Sequence, residues 1–348
     1  MDGQTGETEP RVTRPRRATV NDVARLAGVS IATVSKTLND RGQVKAETQE
    51  RVRRAAEQLD FVPNPLARGL HEGKTGTVGL LTNDLEGRFS LPILMGAEDA
   101  FGADSVSVIL SDARGDAIRE QHHLRALLGR RIDGLIVVGD KTDPRPSLGQ
   151  NIGVPVVYAY APSMDPRDAS VISDNVGAGR LAIEHVLMSG RQHVGYVSGD
   201  RSYAAARDRV QGAREVLDSL GMVLVGGDAF YGSWTEEWGR GMARLLLEKD
   251  PQLDAVLCGS DQIARGVIDA LRDLGKEVPT DIAVMGHDNW EPLATQSRPP
   301  LSTIDMNLEA LGRTAARLLF RAMDGDEQPG TTVLPCRVVT RGSTTPSS

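Results

Sequence analysis

Cysteine, aromatic residues and long apolar runs are all scarce in this chain. Only two cysteines, Cys258 and Cys336, occur in 348 residues, which argues against a disulfide framework and a cysteine-rich zinc site and fits a reducing compartment. No apolar run approaches the roughly 20 residues that a membrane-spanning helix needs. The six histidines show no metal-ligand spacing. We therefore predict no membrane segment, no metal site and no cofactor.

Signatures of catalysis are also missing. The GKT at 73–75 has part of a phosphate-binding loop, but that motif needs a glycine where Arg68 stands and a strand before it, not after it. No G-x-S-x-G nucleophile elbow occurs, and no evident nucleophile completes a triad with His287 and Asp288. The sequence therefore predicts that the chain is not an enzyme.

A helical hairpin is present near the start of the chain, in TVNDVARLAGVSIATVSKTLND, which begins at Thr19. Thr19 can cap a first helix and form a capping box with Asp22. Gly28 suits the left-handed turn that ends a helix, and Ser30 can cap a second helix over 31–38. Two short helices joined by a tight turn form the helix-turn-helix arrangement, whose second helix enters the DNA major groove.

The outward face of the second helix favours DNA binding over the simpler interpretation of a capped helical hairpin. With Val34 and Leu38 facing inward, the remaining side chains are short, mostly uncharged groups that suit base edges, thymine methyls and phosphates. A solvated helix face would normally carry more Glu and Lys. The predicted DNA-binding residues here are Thr19, Ser30, Ile31, Ala32, Thr33, Ser35, Lys36 and Asn39.

Charge separates this head from the rest of the chain. Residues 11–71 contain twelve Lys and Arg against six Asp and Glu, a net charge of +6, whereas the whole chain carries −7. A basic head suits the neutralisation of phosphates, and an acidic remainder limits contact with nucleic acid elsewhere. We therefore predict double-stranded operator DNA as a partner.

Two further motifs follow the hairpin: a third helical pattern over 46–59 and the run VPNPLARGL. Together with VNDVARLAGVS and ATVSK, they resemble the N-terminus of the LacI/GalR family of bacterial repressors, and the similarity extends from about Thr19 to Arg341. The resemblance implies a hinge helix that docks in the minor groove, where Leu70 wedges between base pairs. The hinge residues implied to contact DNA are Ala67, Arg68 and Leu70.

After about Thr75 the chain alternates strand-like and helix-like segments. Continuous apolar runs between helical patterns, such as DGLIVVGD and DIAVMGHD, indicate parallel strands covered on both faces. The resemblance implies two doubly wound lobes like those of periplasmic binding proteins, with a ligand in the cleft at the carboxyl ends of the strands. The predicted fold class is an all-α helix-turn-helix head plus an α/β body of two doubly wound lobes.

These patterns also predict the domain boundaries. The polar N-terminus lacks an apolar signal core, which favours a cytoplasmic protein associated with the nucleoid through DNA. The predicted segments are a disordered basic arm (1–17), a helix-turn-helix domain (18–62), a hinge helix and linker (63–74) and an effector-binding and dimerisation domain (75–343). Within the last, the first lobe is placed at about 75–161 plus 291–323 and the second at about 162–290 plus 324–343.

The resemblance further implies which residues bind the effector. Arg209 takes the place of the family's effector-binding arginine, Asp288 that of an aspartate at the end of a strand, and Trp234 that of an aromatic residue covering the ligand. Such groups can hold a sugar through bidentate hydrogen bonds and stacking. The other implied contacts are Phe89, Ser260, Asp261 and Tyr160, the last standing where an aspartate is usual.

Several alternatives stay open on the sequence alone. Asp288 could cap a turn and Arg209 could pair with a surface acid, and the tyrosine at 160 leaves room for an unusual sugar or for no sugar. A sugar-binding transport protein would need an export signal and no head, and an architectural DNA-binding protein would use the lobes only to dimerise. We predict a homodimeric repressor of near-palindromic operators, controlled by a small-molecule effector, a sugar or sugar derivative.

Overall fold

The computed structural model of this chain describes residues 18–38, 44–61, 74–84, 88–102 and 106–345. It contains two compact units, a head that ends at Thr75 and a body that begins at Gly76. The predicted basic arm and the predicted DNA contacts Asn39, Ala67, Arg68 and Leu70 lie outside the described residues.

The head contains α1 (Val20–Ala27), α2 (Ile31–Leu38) and α3 (Ala46–Gln58). The predicted capping box is confirmed: the backbone N–H of Asp22 donates to the Thr19 hydroxyl at 3.4 Å, and the backbone N–H of Thr19 donates to the Asp22 carboxylate at 2.9 Å. Gly28 has φ +64°, as a left-handed helix end requires. The Ser30 hydroxyl accepts a hydrogen bond from the N–H of Thr33 at 3.1 Å, so α2 starts at its predicted cap.

One apolar face from each helix forms the core of the head. Val34 is fully buried, as predicted, and Leu38 packs against the core while staying partly exposed. Thr37, which was not predicted to face inward, is buried because it lies one helical turn after Val34. The buried core residues are Val23, Ala24, Ala27, Val34, Val52, Ala55 and Ala56.

The body alternates strands and helices, as the apolar runs predicted. Its strands are β1 (Thr77–Thr82), β2 (Ser107–Asp112), β3 (Gly134–Val138), β4 (Val156–Ala159), β5 (Ala169–Ser173), β6 (Val194–Ser198), β7 (Phe230–Tyr231), β8 (Ala255–Cys258), β9 (Ala283–His287), β10 (Ser302–Asp305), β11 (Gly330–Leu334) and β12 (Arg337–Val339). Its helices are α4 (Ser90–Gly102), α5 (Ala117–Gly129), α6 (Asn175–Met188), α7 (Ala204–Ser219), α8 (Glu236–Lys249), α9 (Asp261–Asp273), α10 (Glu291–Ala294) and α11 (Leu308–Met323).

Two sheets, each with helices packed against it, make the body a two-lobed α/β unit. The first sheet has the order β11-β5-β4-β3-β1-β2, and the second has the order β12-β10-β9-β8-β6-β7. The strand pairs are parallel, except that β12 runs antiparallel to β10. The predicted fold class is therefore confirmed. None of the described helices combines the length and apolarity that would let it cross a membrane.

The chain crosses between the lobes at other positions than the sequence suggested. Strand β5, placed by the prediction in the second lobe, pairs with β4 and β11 in the first sheet. Strand β10, placed in the first lobe with residues 291–323, pairs with β9 in the second sheet. These boundaries were wrong because apolar runs identify strands, whereas the pairing of strands distant in sequence decides which sheet they join. Judged by the sheet that each strand joins, the first lobe consists of residues 76–173 and 306–334, and the second consists of residues 174–305 and 335–345.

Candidate functional site

The exposed face of α2 carries the residues predicted to contact DNA. Ile31 is 51% exposed, although it is apolar, and Lys36, five residues further along the helix, is also exposed. The hydroxyls of Ser30 and Thr33 lie 2.9 Å apart, so both take part in the start of α2. The other exposed residues among the predicted contacts are Ser30, Ala32 and Ser35, whereas Thr19 and Thr33 are partly buried. An exposed face of small side chains with one apolar residue matches what a major groove accepts.

In the body, predicted effector residues from both lobes come together where parallel strands end. Phe89 follows β1 and Tyr160 follows β4 in the first lobe, while Asp288 follows β9 in the second. Arg209 extends toward them from α7. Doubly wound folds bind ligands at this edge of their sheets.

Arg209 is buried, with 3% of its surface exposed, and its guanidinium is held on several sides. Nε donates to Oδ1 of Asn175 at 2.8 Å, and Nη1 donates to the carbonyl of Gly259 at 2.7 Å. The same Nη1 lies 3.9 Å from Oδ1 of Asp288. The alternative that Arg209 pairs with a surface acid is therefore wrong. Asn175, the first residue of α6, was not predicted to take part in this site.

Asp288 is the buried acid of the cleft, with 4% of its side chain exposed. Its φ of +108° is a backbone conformation that residues other than glycine rarely adopt. Burial raises the pKa of Asp288, and the guanidinium groups of Arg88 and Arg209 act in the opposite direction. Its Oδ2 lies 3.0 Å from Nη1 of Arg88, but the contact lacks hydrogen-bond alignment, so that neither atom has a hydrogen-bond partner.

Arg88 is a residue of this site that the sequence reasoning missed. Its Nη2 donates to Oε1 of Gln262 at 3.0 Å, which joins the first lobe to α9 of the second. Its guanidinium carbon lies 5.4 Å from the ring centre of Phe89 and 5.1 Å from that of Trp290, one ring from each lobe. The available signal was its position directly before Phe89, near the carboxyl end of β1.

Two pairs of aromatic rings include residues that were predicted to bind the effector. Phe89 stacks on Tyr160 with ring centres 4.9 Å apart, and Tyr160 is almost fully buried with φ +72°. Burial raises the pKa of Tyr160, so its phenol stays protonated, while nearby Arg209 opposes the shift. In the second group, Trp234 meets the edge of Tyr203 at 5.7 Å.

Ser260 and Asp261 are buried behind the cleft wall, and their oxygens bind other parts of the protein. The Ser260 hydroxyl accepts from the N–H of Ile263 at 3.3 Å and caps α9. The Asp261 carboxylate accepts from the N–H of Trp290 at 2.7 Å and from the Thr303 hydroxyl at 2.6 Å. Burial raises the pKa of Asp261, and the charge of Asp288 adds to that shift. In this conformation both residues position the cleft wall, so their contact with an effector stays a prediction.

Comparison with family models matches both units of the chain. Residues 19–64 match the model for bacterial regulatory proteins of the lacI family. Residues 183–344 match the model for the periplasmic binding protein-like domain. The first match covers the helical hairpin, and the second covers most of the second lobe.

Relatives and solved structures extend the similarity to nearly the whole chain. The HTH-type transcriptional regulator CelR of Thermobifida fusca is 32% identical over 339 residues, which is 95% of this chain and 99% of that protein. A CelR–cellobiose complex is 30% identical with a TM-score of 0.64, over 94% of this chain and 100% of that one. The lac repressor dimer bound to operator and the anti-inducer ONPF is 27% identical with a TM-score of 0.76, and the match covers 94% of this chain and 99% of that one. The chain therefore belongs to the lacI family of bacterial regulatory proteins, and it is a DNA-binding transcription regulator and not an enzyme.

Proposed function

We propose that this regulator is a homodimeric repressor controlled by a sugar or sugar derivative that binds between the lobes of the body. Helix α2 of each subunit enters the major groove in one half of a near-palindromic operator, and Leu70 of each hinge opens its centre. Binding of the effector shifts the two lobes relative to one another, and this shift changes the affinity of the protein for DNA. The proposed DNA contacts are Thr19, Ser30, Ile31, Ala32, Thr33, Ser35, Lys36, Asn39, Ala67, Arg68 and Leu70.

The buried pair of Arg209 and Asp288 is the observation that carries the effector site. Burying a guanidinium and a carboxylate costs free energy, so such a pair at the end of parallel strands favours a role in binding. Oδ2 of Asp288 has no aligned hydrogen bond, and a hydroxyl of a ligand can supply one. The proposed effector contacts are Phe89, Tyr160, Arg209, Trp234, Ser260, Asp261 and Asp288.

Two relatives support the chemical class of the ligand and the assembly. The CelR structure contains cellobiose, which supports a carbohydrate effector. The lac repressor structure is a dimer bound to operator, which supports a dimer that acts on DNA. A near-palindrome is the operator symmetry that a two-fold dimer requires.

Sequencing of genomic fragments captured by the purified protein at near-physiological salt tests the DNA half of the proposal. A short enriched palindrome upstream of a few genes is the expected result. Salt-sensitive binding without any enriched motif, both with and without a panel of sugars, would contradict an operator-specific repressor.

A thermal-shift screen with sugars tests the effector half, because a specific ligand raises the melting temperature by mass action. We expect Asp288→Asn to abolish the shift that the best sugar produces while leaving operator binding unchanged. Asp273→Asn, at the exposed end of α9, is the matched control and should keep the shift. A normal response of the Asp288 variant would refute its assignment.

A further inference from the structure

Arg88 lies in the cleft, yet the proposed function gives it no role. We propose that Arg88 is a specificity-determining residue of the effector site. The direct contact between Nη1 of Arg88 and Oδ2 of Asp288 opens to admit a hydroxyl of the effector, which accepts from the guanidinium and donates to the carboxylate. This inference rests on the proposed function, because it requires an effector in the cleft.

One hydroxyl can bind both atoms once they separate to roughly 5 Å, the span of two hydrogen bonds that meet at one oxygen. Nη1 of Arg88 and Oδ2 of Asp288 lie 3.0 Å apart, and their side chains are only 16% and 4% exposed. Neither atom has an aligned hydrogen bond. A hydroxyl is donor and acceptor at once, so a single group can satisfy both atoms. A ligand carboxylate has no proton for Asp288, and an ammonium has no lone pair for Arg88, so the pair selects a neutral hydroxyl.

The hydrogen bond that the Arg88 guanidinium makes to Gln262 uses Nη2, so Nη1 is available to a ligand hydroxyl. The guanidinium lies between the rings of Phe89 and Trp290, and Nη2 is already bound to Gln262. Because the guanidinium is a rigid planar fork, holding Nη2 also sets the direction of Nη1. Arg88 belongs to the first lobe and Asp288 to the second, so the inserted hydroxyl links the two lobes.

A second contact between the lobes provides a control. The Asp143 carboxylate of the first lobe accepts from the N–H of Ala204, at the start of α7, at 3.1 and 3.2 Å. Asp143 also lies 3.7 Å from Arg207. This contact joins the lobes without touching Asp288. A substitution there removes a contact between the lobes without altering the proposed hydroxyl site.

Titration calorimetry of the full-length protein with cellobiose and a panel of other neutral sugars tests the inference. Arg88→Met keeps much of the apolar stem and removes the donors, and we expect it to weaken binding of the best sugar at least tenfold. Asp143→Asn should stay within threefold of the unsubstituted protein. Unchanged or tighter binding by the Arg88 variant would overturn the inference, and so would an equal loss in both variants.

Two further measurements separate this inference from the proposed function. Binding of no sugar by the unsubstituted protein would overturn the proposed effector class, and with it the hydroxyl role. Sugar binding that ignores Arg88→Met overturns the inference alone. In the unliganded protein, Arg88→Met and Asp288→Asn combined should lower the melting temperature by less than the sum of their separate shifts. Additive shifts would overturn the contact itself.

Discussion

Gly199→Ala adds a single methyl group, yet we expect it to weaken effector binding by displacing Trp234. Gly199 follows β6, and a Cβ built on it would lie 2.2 Å from Cδ2 and Cε2 of the Trp234 ring. Because carbon atoms pack at roughly 3.5–4.0 Å, the ring has to retreat by roughly 1.5 Å. A shift of that size takes the indole away from the position in which we propose that it covers the ligand.

The expected rise in Kd follows from the free energy that stacking on an aromatic face contributes to binding. Aromatic stacking is worth about 0.5–1.5 kcal/mol beyond its buried area, which corresponds to a rise in Kd of about 2- to 12-fold. Forcing an extra methyl against the ring should also lower the free energy of unfolding by about 1–3 kcal/mol. Titration calorimetry with the best sugar and thermal unfolding measure the two effects.

Gly241→Ala is the matched control for this prediction. Gly241 lies on the exposed side of α8 with nothing within 4 Å of its added Cβ. Alanine there should raise helix stability by up to about 1 kcal/mol and leave Kd unchanged. Sugar affinity of Gly199→Ala equal to that of the unsubstituted protein would refute the reasoning, as would an effect that persists at full size in a Trp234→Ala background.

Three further predictions concern the head and the buried cleft. Lys36→Ala should reduce the slope of log K against log salt by about 1, because one phosphate contact is lost. Thr19→Ala should lower the stability of the head by about 1 kcal/mol in thermal unfolding, because its capping box is lost. Burial, with Arg209 and Arg88 nearby, lowers the pKa of His287 well below 6.5. The folded state thus binds fewer protons there, and as the pH falls from 7.5 to 5.5 the protein should lose stability relative to His287→Phe, by up to about 1.4 kcal/mol.

Each of these predictions has an outcome that contradicts it. An unchanged salt slope would remove Lys36 from the phosphate contacts, with Lys276, far along the chain in the body, as the control lysine. An unchanged unfolding transition of the head would show that the Thr19 cap contributes little. Parallel pH profiles of the unsubstituted protein and His287→Phe would mean that the histidine titrates alike in the folded and unfolded chain.

The sequence by itself determined the features that depend on neighbouring residues. The helices α1 and α2 are predictable because Thr19 with Asp22, Gly28 and Ser30 act on residues within a turn of themselves. The strands of the body are predictable because burial on both faces leaves continuous apolar runs. The resemblance identified Arg209, which the structure places in a buried network with Asp288.

Only the tertiary structure decided what depends on contacts between distant segments. Strands β5 and β11 pair although more than 150 residues separate them, and no local pattern marks that partnership or the lobe boundaries that it sets. Ser260 and Asp261 are residue types that often bind ligands, but in the fold their side-chain oxygens accept hydrogen bonds from the backbone of α9 and of Trp290. The sequence around Arg88 does not mark it as a site residue, because its acidic partner, Asp288, follows a strand of the other sheet.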